Sequence, residues 1–159
     1  MHVFYKLFGL LGQEIRALSA ITLIAMSCSA LAQTALVTPV GLWRSVDDKT
    51  GQARAEIRIR ANNAGVLSGV IEKTIIFSPE PICTECSDDR KGKPKLGLEI
   101  IRGAQKAEVK DVWEDGKILD PDNGRNYTLR LTPIEGGSKL EVRGSFGPFG
   151  RTQVWSRIQ

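Results

Sequence analysis

The chain has 159 residues, with 22 Lys and Arg against 18 Asp and Glu, a net charge of +4 and one histidine. That length suits a single domain, and 42% hydrophobic with 25% charged residues excludes both a disordered polyelectrolyte and a polytopic helical membrane protein. The one histidine is His2, so a Ser-His-Asp centre and a histidine-built metal site are excluded for everything after it.

The first 32 residues read as an export signal. Lys6 and Arg16 are the positive charges of Met1 to Arg16, with Glu14 out of pattern. Ala17 to Leu31 is apolar or small throughout, and Ala30-Leu31-Ala32 fits a small-x-small cleavage site that leaves Gln33 first. The apolar run is shorter than the roughly 20 residues a spanning helix needs. The expectation is therefore a cleaved signal at 1–32, a mature form at 33–159 without a transmembrane segment, and a periplasmic or secreted location. Acylation of Cys28 is the competing reading, but Ala25 stands where a lipoprotein signal carries a branched apolar residue.

Setting aside Lys6, Arg16 and Glu14 leaves 20 basic and 17 acidic residues in 127, a net charge of +3. A chain of that size buries roughly two-thirds of its surface on folding, enough for its own core. Thr38 to Val46 opens with Pro39 and Gly41 and reads as a first strand, closed by the turn Asp47 to Gly51. Arg54 to Arg60 alternates, with Ala55, Ile57 and Ile59 on one side and Glu56, Arg58 and Arg60 on the other, which is a half-buried strand. Asn62 to Gly65 turns the chain. Val66 to Ile76 is β-rich, with Gly69 at a kink or bulge. Phe77 to Leu96 is the long irregular stretch, of the length that loops with a function have. Its basic cluster, Arg90 to Lys95, reads as solvated loop and carries no aromatic-studded RNA motif, so no nucleic-acid partner is expected.

Gly97 to Ile101 and Ala107 to Trp113 read as short strands. Glu114-Asp115-Gly116-Lys117 and Asp120 to Gly124 read as two tight turns, leaving only Ile118 and Leu119 as a very short strand between them. Asn126 to Thr132, Lys139 to Ser145 and Arg151 to Arg157 alternate as strands. The turns between them are Glu135 to Ser138 and Phe146 to Gly150. Eight or nine short strands at even spacing, with no helix of ten residues, predict an all-β fold. An up-and-down antiparallel β-barrel of about eight strands is favoured over a sandwich, because closure removes exposed edges.

Particular residues resemble known families. Gly41-Leu42-Trp43 resembles the G-x-W signature of lipocalins and related calycins. In those folds a basic residue of the last strand packs across the Trp, and Arg151 or Arg157 is the counterpart. The chain as a whole resembles the bacterial family catalogued as domain of unknown function 2147. The matching segments are G-L-W, D-x-x-T-G at Asp47 to Gly51, C-x-x-C at Cys83 and Cys86, and G-x-x-I at Gly97 to Ile100. They continue as W-x-x-G-x-I-L-D-P-x-x-G-x-x-Y from Trp113 to Tyr127, then Arg143-Gly144, and G-R-T-Q-x-W-x-R from Gly150 to Arg157. This resemblance implies a calycin-like barrel in an exported bacterial protein and brings no catalytic residues.

Cys83 and Cys86 are expected to form a disulfide if the chain is exported, stabilising by about 2 kcal/mol. A redox-active pair and a zinc site are the alternatives. The prolines around the pair argue against the strand-to-helix setting of redox motifs, and zinc needs further ligands. Asp115, Asp120 and Asp122 fall short of a calcium loop and are accounted for by turn chemistry, so no metal or other cofactor is expected. Trp43, Trp113 and Trp155 either plug a small barrel or line its cavity, Trp43 being the most structural. On the last strand Arg151, Gln153, Trp155 and Arg157 share one face. If Trp155 points inward, Arg151 and Gln153 come to a cavity mouth, where they would meet a carboxylate or polar head group.

The candidate ligand-binding set is thus Trp43, Trp113, Tyr127, Arg151, Gln153 and Trp155. The sequence predicts an exported lipocalin-like binding protein, without a catalytic constellation, for a small hydrophobic or amphipathic ligand. The alternative is an envelope protein-interaction or inhibitor module acting through the 77–96 loop, to be told apart by whether the barrel is filled or hollow.

Overall fold

The computed structural model describes residues 37–47 and 50–158, so the expected export signal and Cys28 lie outside the described residues. Eight antiparallel strands follow in chain order: β1 Gly41–Val46, β2 Ala53–Ala61, β3 Leu67–Thr74, β4 Glu99–Lys106, β5 Trp113–Asp120, β6 Arg125–Ile134, β7 Lys139–Phe146 and β8 Phe149–Ile158. Each pairs with the next, and β8 returns to β1 through Trp43 opposite Arg157, closing the barrel. Among the described residues, no helix is long and apolar enough to cross a membrane.

Alternation does what the sequence predicts in β2, β6, β7 and β8. Ile57, Ile59, Leu129, Leu131, Leu140, Val142 and Trp155 point in and are buried. Outside, Arg44 pairs with Glu56 and Arg58 with Glu72 across neighbouring strands. Gly69 stands at a register shift in the β3–β4 pairing, where an added Cβ would meet Ile101 at 3.0 Å.

The stretch from Ala107 to Asp120 corrects the sequence reading. Residues 107–112 form the β4–β5 connection instead of a strand, and Glu114-Asp115-Gly116-Lys117 is not a turn but the interior of β5. Trp113 faces Leu131 and Gly116 faces Leu129, so β5 carries one residue more than β6 over that interval. The extra residue is absorbed by a bulge with Asp115 at φ 64°. Gly116 is needed for space: a Cβ there would stand 2.6 Å from the Ala104 backbone nitrogen on β4. A left-handed Asp beside a Gly is locally indistinguishable from a hairpin turn, and the neighbouring strand decides.

The barrel has one plugged end and one open end. At the plugged end Trp43 is fully buried and its Nε1 donates to the Pro39 carbonyl at 2.7 Å. The Arg157 guanidinium lies 4.2 Å from the centroid of that ring and donates to the carbonyls of Gly137, Val40 and Thr38 at 2.5, 2.8 and 2.6 Å. Of the two arginines the lipocalin resemblance allowed, Arg157 is the counterpart.

At the open end lie the connections β1–β2, β3–β4, β5–β6 and β7–β8. The β3–β4 connection spans 75–98 and folds against the barrel around a Cys83–Cys86 disulfide whose two residues are both buried. The Cys83 sulfur touches the Pro121 carbonyl oxygen at 3.5 Å, so the bridge packs on the β5–β6 turn. Here the sequence reading needs a second correction, since Arg90 and Lys95 of the basic cluster are buried instead of solvated. Arg90 donates to both Asp88 carboxylate oxygens, to the Glu99 carbonyl at 3.0 Å and to Asn126 Oδ1 at 2.6 Å, tying the loop to β4 and β6. Arg90→Ala would remove a buried guanidinium and its ties to β4 and β6, while water can reach the Asp88 and Asn126 acceptors, and is expected to cost about 2 kcal/mol in urea unfolding. Arg90→Lys should recover less than half of that, because an ammonium cannot reproduce the fork.

The loop also has a pH signature. The hydrogen bond from Arg90 holds the Asp88 carboxyl far below the usual carboxylate range, and that from Arg102 brings Asp89 down to about 2. Both are depressed relative to the unfolded chain. The stability they contribute is therefore present above pH ~4 and lost as pH falls below it. The urea midpoint is expected to stay level from neutrality to about pH 5 and then decline, with Asp88→Asn lowering the plateau and flattening the decline. A midpoint that rises on acidification would contradict the assignment.

Candidate functional site: a cavity at the open end

Small residues, Ser45, Ala55 and Gly144, line the barrel toward its open end, where it is hollow. A cavity of about 700 Å³ runs from the mouth to a floor and wall of Ile57, Ile71, Ile100, Leu119, Val142 and Trp155. That volume lies within the range of small-molecule sites. Ala55 and Ile57 of β2, Val142 and Gly144 of β7, and Gln153 and Trp155 of β8 line it at alternate positions, as strand period requires, whereas β5 contributes Ile118, Leu119 and Asp120 in succession.

Polar groups gather toward the opening. Ser45, Tyr127, Arg151 and Gln153 all line the cavity. Gln153 Oε1 accepts from Trp155 Nε1 at 2.8 Å, which satisfies the indole in an otherwise apolar wall. Ser45 Oγ donates to the Ala55 carbonyl at 3.2 Å and is held by its own sheet. On the long-loop side Asp122 sits between two cations, accepting from Lys95 Nζ at 2.8 Å and from Arg54. Burial pushes the Asp122 carboxyl up, but the hydrogen bonds from Lys95 and Arg54 outweigh it and hold it below its ordinary value. Lys95 is buried and Asp122 exposed, and the pair fastens the loop wall to the β5–β6 turn.

Asp120 uses both carboxylate oxygens within its own turn, accepting from the Asp122 backbone nitrogen and from Asn123 Nδ2, each at 3.0 Å. Among the described residues no group of three His, Cys, Asp or Glu side chains converges as a metal site would require.

A family model described as "Uncharacterized protein conserved in bacteria (DUF2147)" matches residues 41–157. The chain belongs to this family. Among solved structures, a similar one is "Protein HP1028 from the human pathogen Helicobacter pylori belongs to the lipocalin family". It has 16% sequence identity and a TM-score of 0.64, over 76% of this chain and 82% of that one. At that identity the likeness establishes the fold, which this family member shares with a lipocalin. No curated protein is similar to it at a significant level.

The structure brings together four of the six residues singled out from sequence. Tyr127, Arg151, Gln153 and Trp155 line the cavity, with Trp155 at its wall and the other three nearer the mouth. Trp43 and Trp113 do not line it. Trp43 forms the plug under Arg157, and Trp113 is buried where β5 begins, at the plugged end, with Lys106 Nζ 5.5 Å from its ring centroid. An aromatic in a barrel strand looks the same from sequence wherever it falls along the axis. Sequence reasoning missed the exposed aromatics of the rim, Phe77, Phe146 and Phe149, and the Arg54–Asp122–Lys95 cluster. The turn F-G-P-F carried a usable signal, two large aromatics on a two-residue hairpin, but the cluster joins residues far apart in the chain and carried none.

Proposed function

We propose that this protein is an exported carrier or sensor of a small amphipathic molecule with an acyl-like tail. The tail lies against Ile57, Ile71, Val142 and Trp155, and an anionic head group meets Arg151, Gln153 and Tyr127 at the mouth. One observation carries the reading: an apolar cavity of about 700 Å³ that opens past a polar rim at one end of a closed barrel. At about 0.8 kcal/mol per buried methylene, a twelve-carbon tail gains roughly 10 kcal/mol gross. That is enough for useful affinity after the costs of association. The hollow interior favours this reading over the interaction module, which a filled barrel would have suited.

Export is supported by the apolar 17–31 run with its small-x-small site and by the buried Cys83–Cys86 disulfide, which suits an oxidising compartment. Binding is favoured over catalysis because the one histidine, His2, precedes the barrel.

Titration with a fluorescent polyene fatty acid is expected to show one saturable site. Arg151→Ala is expected to weaken a twelve-carbon acid about tenfold and to leave the matching alcohol unchanged. Equal affinity of wild type and variant for the acid would remove the head-group assignment. No saturable binding of acid or alcohol, together with no co-purifying mass in native mass spectrometry of protein taken from its own envelope, would overturn the amphiphile reading itself.

A further inference from the structure

We infer that the open end of the barrel is a docking surface for an anionic lipid bilayer, with the β7–β8 hairpin tip as its anchor. Phe146 and Phe149 face each other across the two-residue turn Gly147-Pro148 and are 73% and 79% exposed. Phe77, 88% exposed, stands on the β3–β4 loop, which in the closed ring of eight lies across the opening from that hairpin. All three line the cavity mouth. Large aromatics exposed together at the same end of a barrel are unusual for a surface that meets only water. An aromatic-tipped rim is suited to the headgroup boundary, where an apolar ring and its polar surroundings are both accommodated.

Charge selects the bilayer over other apolar partners. From Val142 to Gln159 the chain has no acidic residue, and the hairpin reads R-G-S-F-G-P-F-G-R. Arg143 and Arg151 stand on adjacent rungs of the β7–β8 ladder, opposite Thr152 and Gly144. Arg143 extends toward the tip, since a Cβ on Gly150 would meet its guanidinium at 2.7 Å, while Arg151 lies at the cavity mouth. The tip is thus apolar at its end and cationic just behind it, so that a tip inserted to the acyl boundary leaves the two arginines at the level of the phosphates. Of the mouth acids, Asp122 is neutralised between Lys95 and Arg54, Asp120 is engaged in its own turn, and Glu80 is on the long loop across the opening. The docking surface is continuous with the cavity, so an amphiphile could pass between bilayer and barrel without crossing water. That consequence rests on the amphiphile reading, whereas the docking itself does not require it.

The test uses the full chain with vesicles of pure phosphatidylcholine and of phosphatidylcholine mixed with phosphatidylglycerol. Wild type is expected to co-sediment with the anionic vesicles at least tenfold more tightly than with the neutral ones, and to release at 0.5 M salt. The double variant F146S/F149S should lose at least tenfold toward anionic vesicles, with its urea midpoint in vesicle-free solution unchanged. Because the altered residues are already exposed, unfolding is not expected, and the unchanged midpoint checks it. As a local readout, tryptophan introduced by Phe149→Trp should be quenched by brominated phosphatidylglycerol. Equal sedimentation of wild type and double variant, no preference for anionic vesicles, or no quenching would each overturn docking through this hairpin. So would concentration-dependent dimerisation that the double variant abolishes without any vesicle binding, which would assign the surface to a second copy of the chain. Vesicle docking that persists while no amphiphile binds in solution would sink the proposed function and leave the docking surface standing.

Discussion

Arg157→Ala is expected to lower the unfolding free energy by about 4 kcal/mol, read as a fall in the urea midpoint at unchanged slope. The wild-type guanidinium serves three backbone carbonyls, of Gly137, Val40 and Thr38, and covers the face of Trp43. Hydrogen bonds from a charged donor contribute about 1.5–3 kcal/mol each, and a desolvated cation–π contact about 2 kcal/mol. Water entering the vacated site recovers part of this, so the sum overstates the loss. Arg157→Lys should restore the cation over Trp43 but not the three-way fork, and should recover about half. A loss under 1 kcal/mol for the alanine variant would mean that the N-terminal segment 37–40 does not plug the barrel through this residue.

Gly124→Ala is expected to cost about 3 kcal/mol and to speed reduction of the Cys83–Cys86 disulfide by dithiothreitol. Two effects combine. Gly124 is at φ 68°, a left-handed conformation that costs an L-residue roughly 1–2 kcal/mol. Its Cβ would also fall 1.9 Å from the Glu85 carbonyl oxygen and 2.9 Å from the Cys86 nitrogen, so the long loop must move off the β5–β6 turn. Gly147→Ala separates the two. That glycine is at φ 57° with nothing within 4 Å of an added Cβ, so it should cost only the backbone part and leave the disulfide as protected as before. Equal costs at the two positions, with equal reduction rates, would show that the loop does not lean on Gly124.

Both residues were visible in the sequence, each with half its meaning. Gly124 is legible as the glycine of an Asp-Pro-x-x-Gly turn, because turn geometry is set within four residues. That it also leaves room for the disulfide loop depends on a contact with residues about forty positions earlier. Arg157 is legible as one of two arginines on the inward face of the last strand. Register alone separates them: Arg157 stands opposite Trp43 in the β1–β8 pairing, and Arg151 lies six residues toward the other end. The same reasoning covers the candidate site. Gln153 and Trp155 follow from the period of two along β8, whereas Trp43 and Trp113 lie at the plugged end because of where their strands begin.

Local sequence chemistry determined most of the architecture: strand count, the alternation of β2, β6, β7 and β8, the positions of most turns, the long loop and the pairing of its cysteines. These are settled by neighbours two to six residues apart, through side-chain period, turn dihedrals and short loop closure. Tertiary structure alone decided which end of the barrel is plugged, that Glu114 to Lys117 is a bulged strand, that Arg90 and Lys95 are buried, and that a cavity remains. Each of these depends on closing the sheet, which sets distant residues side by side. Position 116 must be glycine because Ala104 of β4 stands against it, and Arg90 is buried because Asn126 and the Glu99 carbonyl come within its reach.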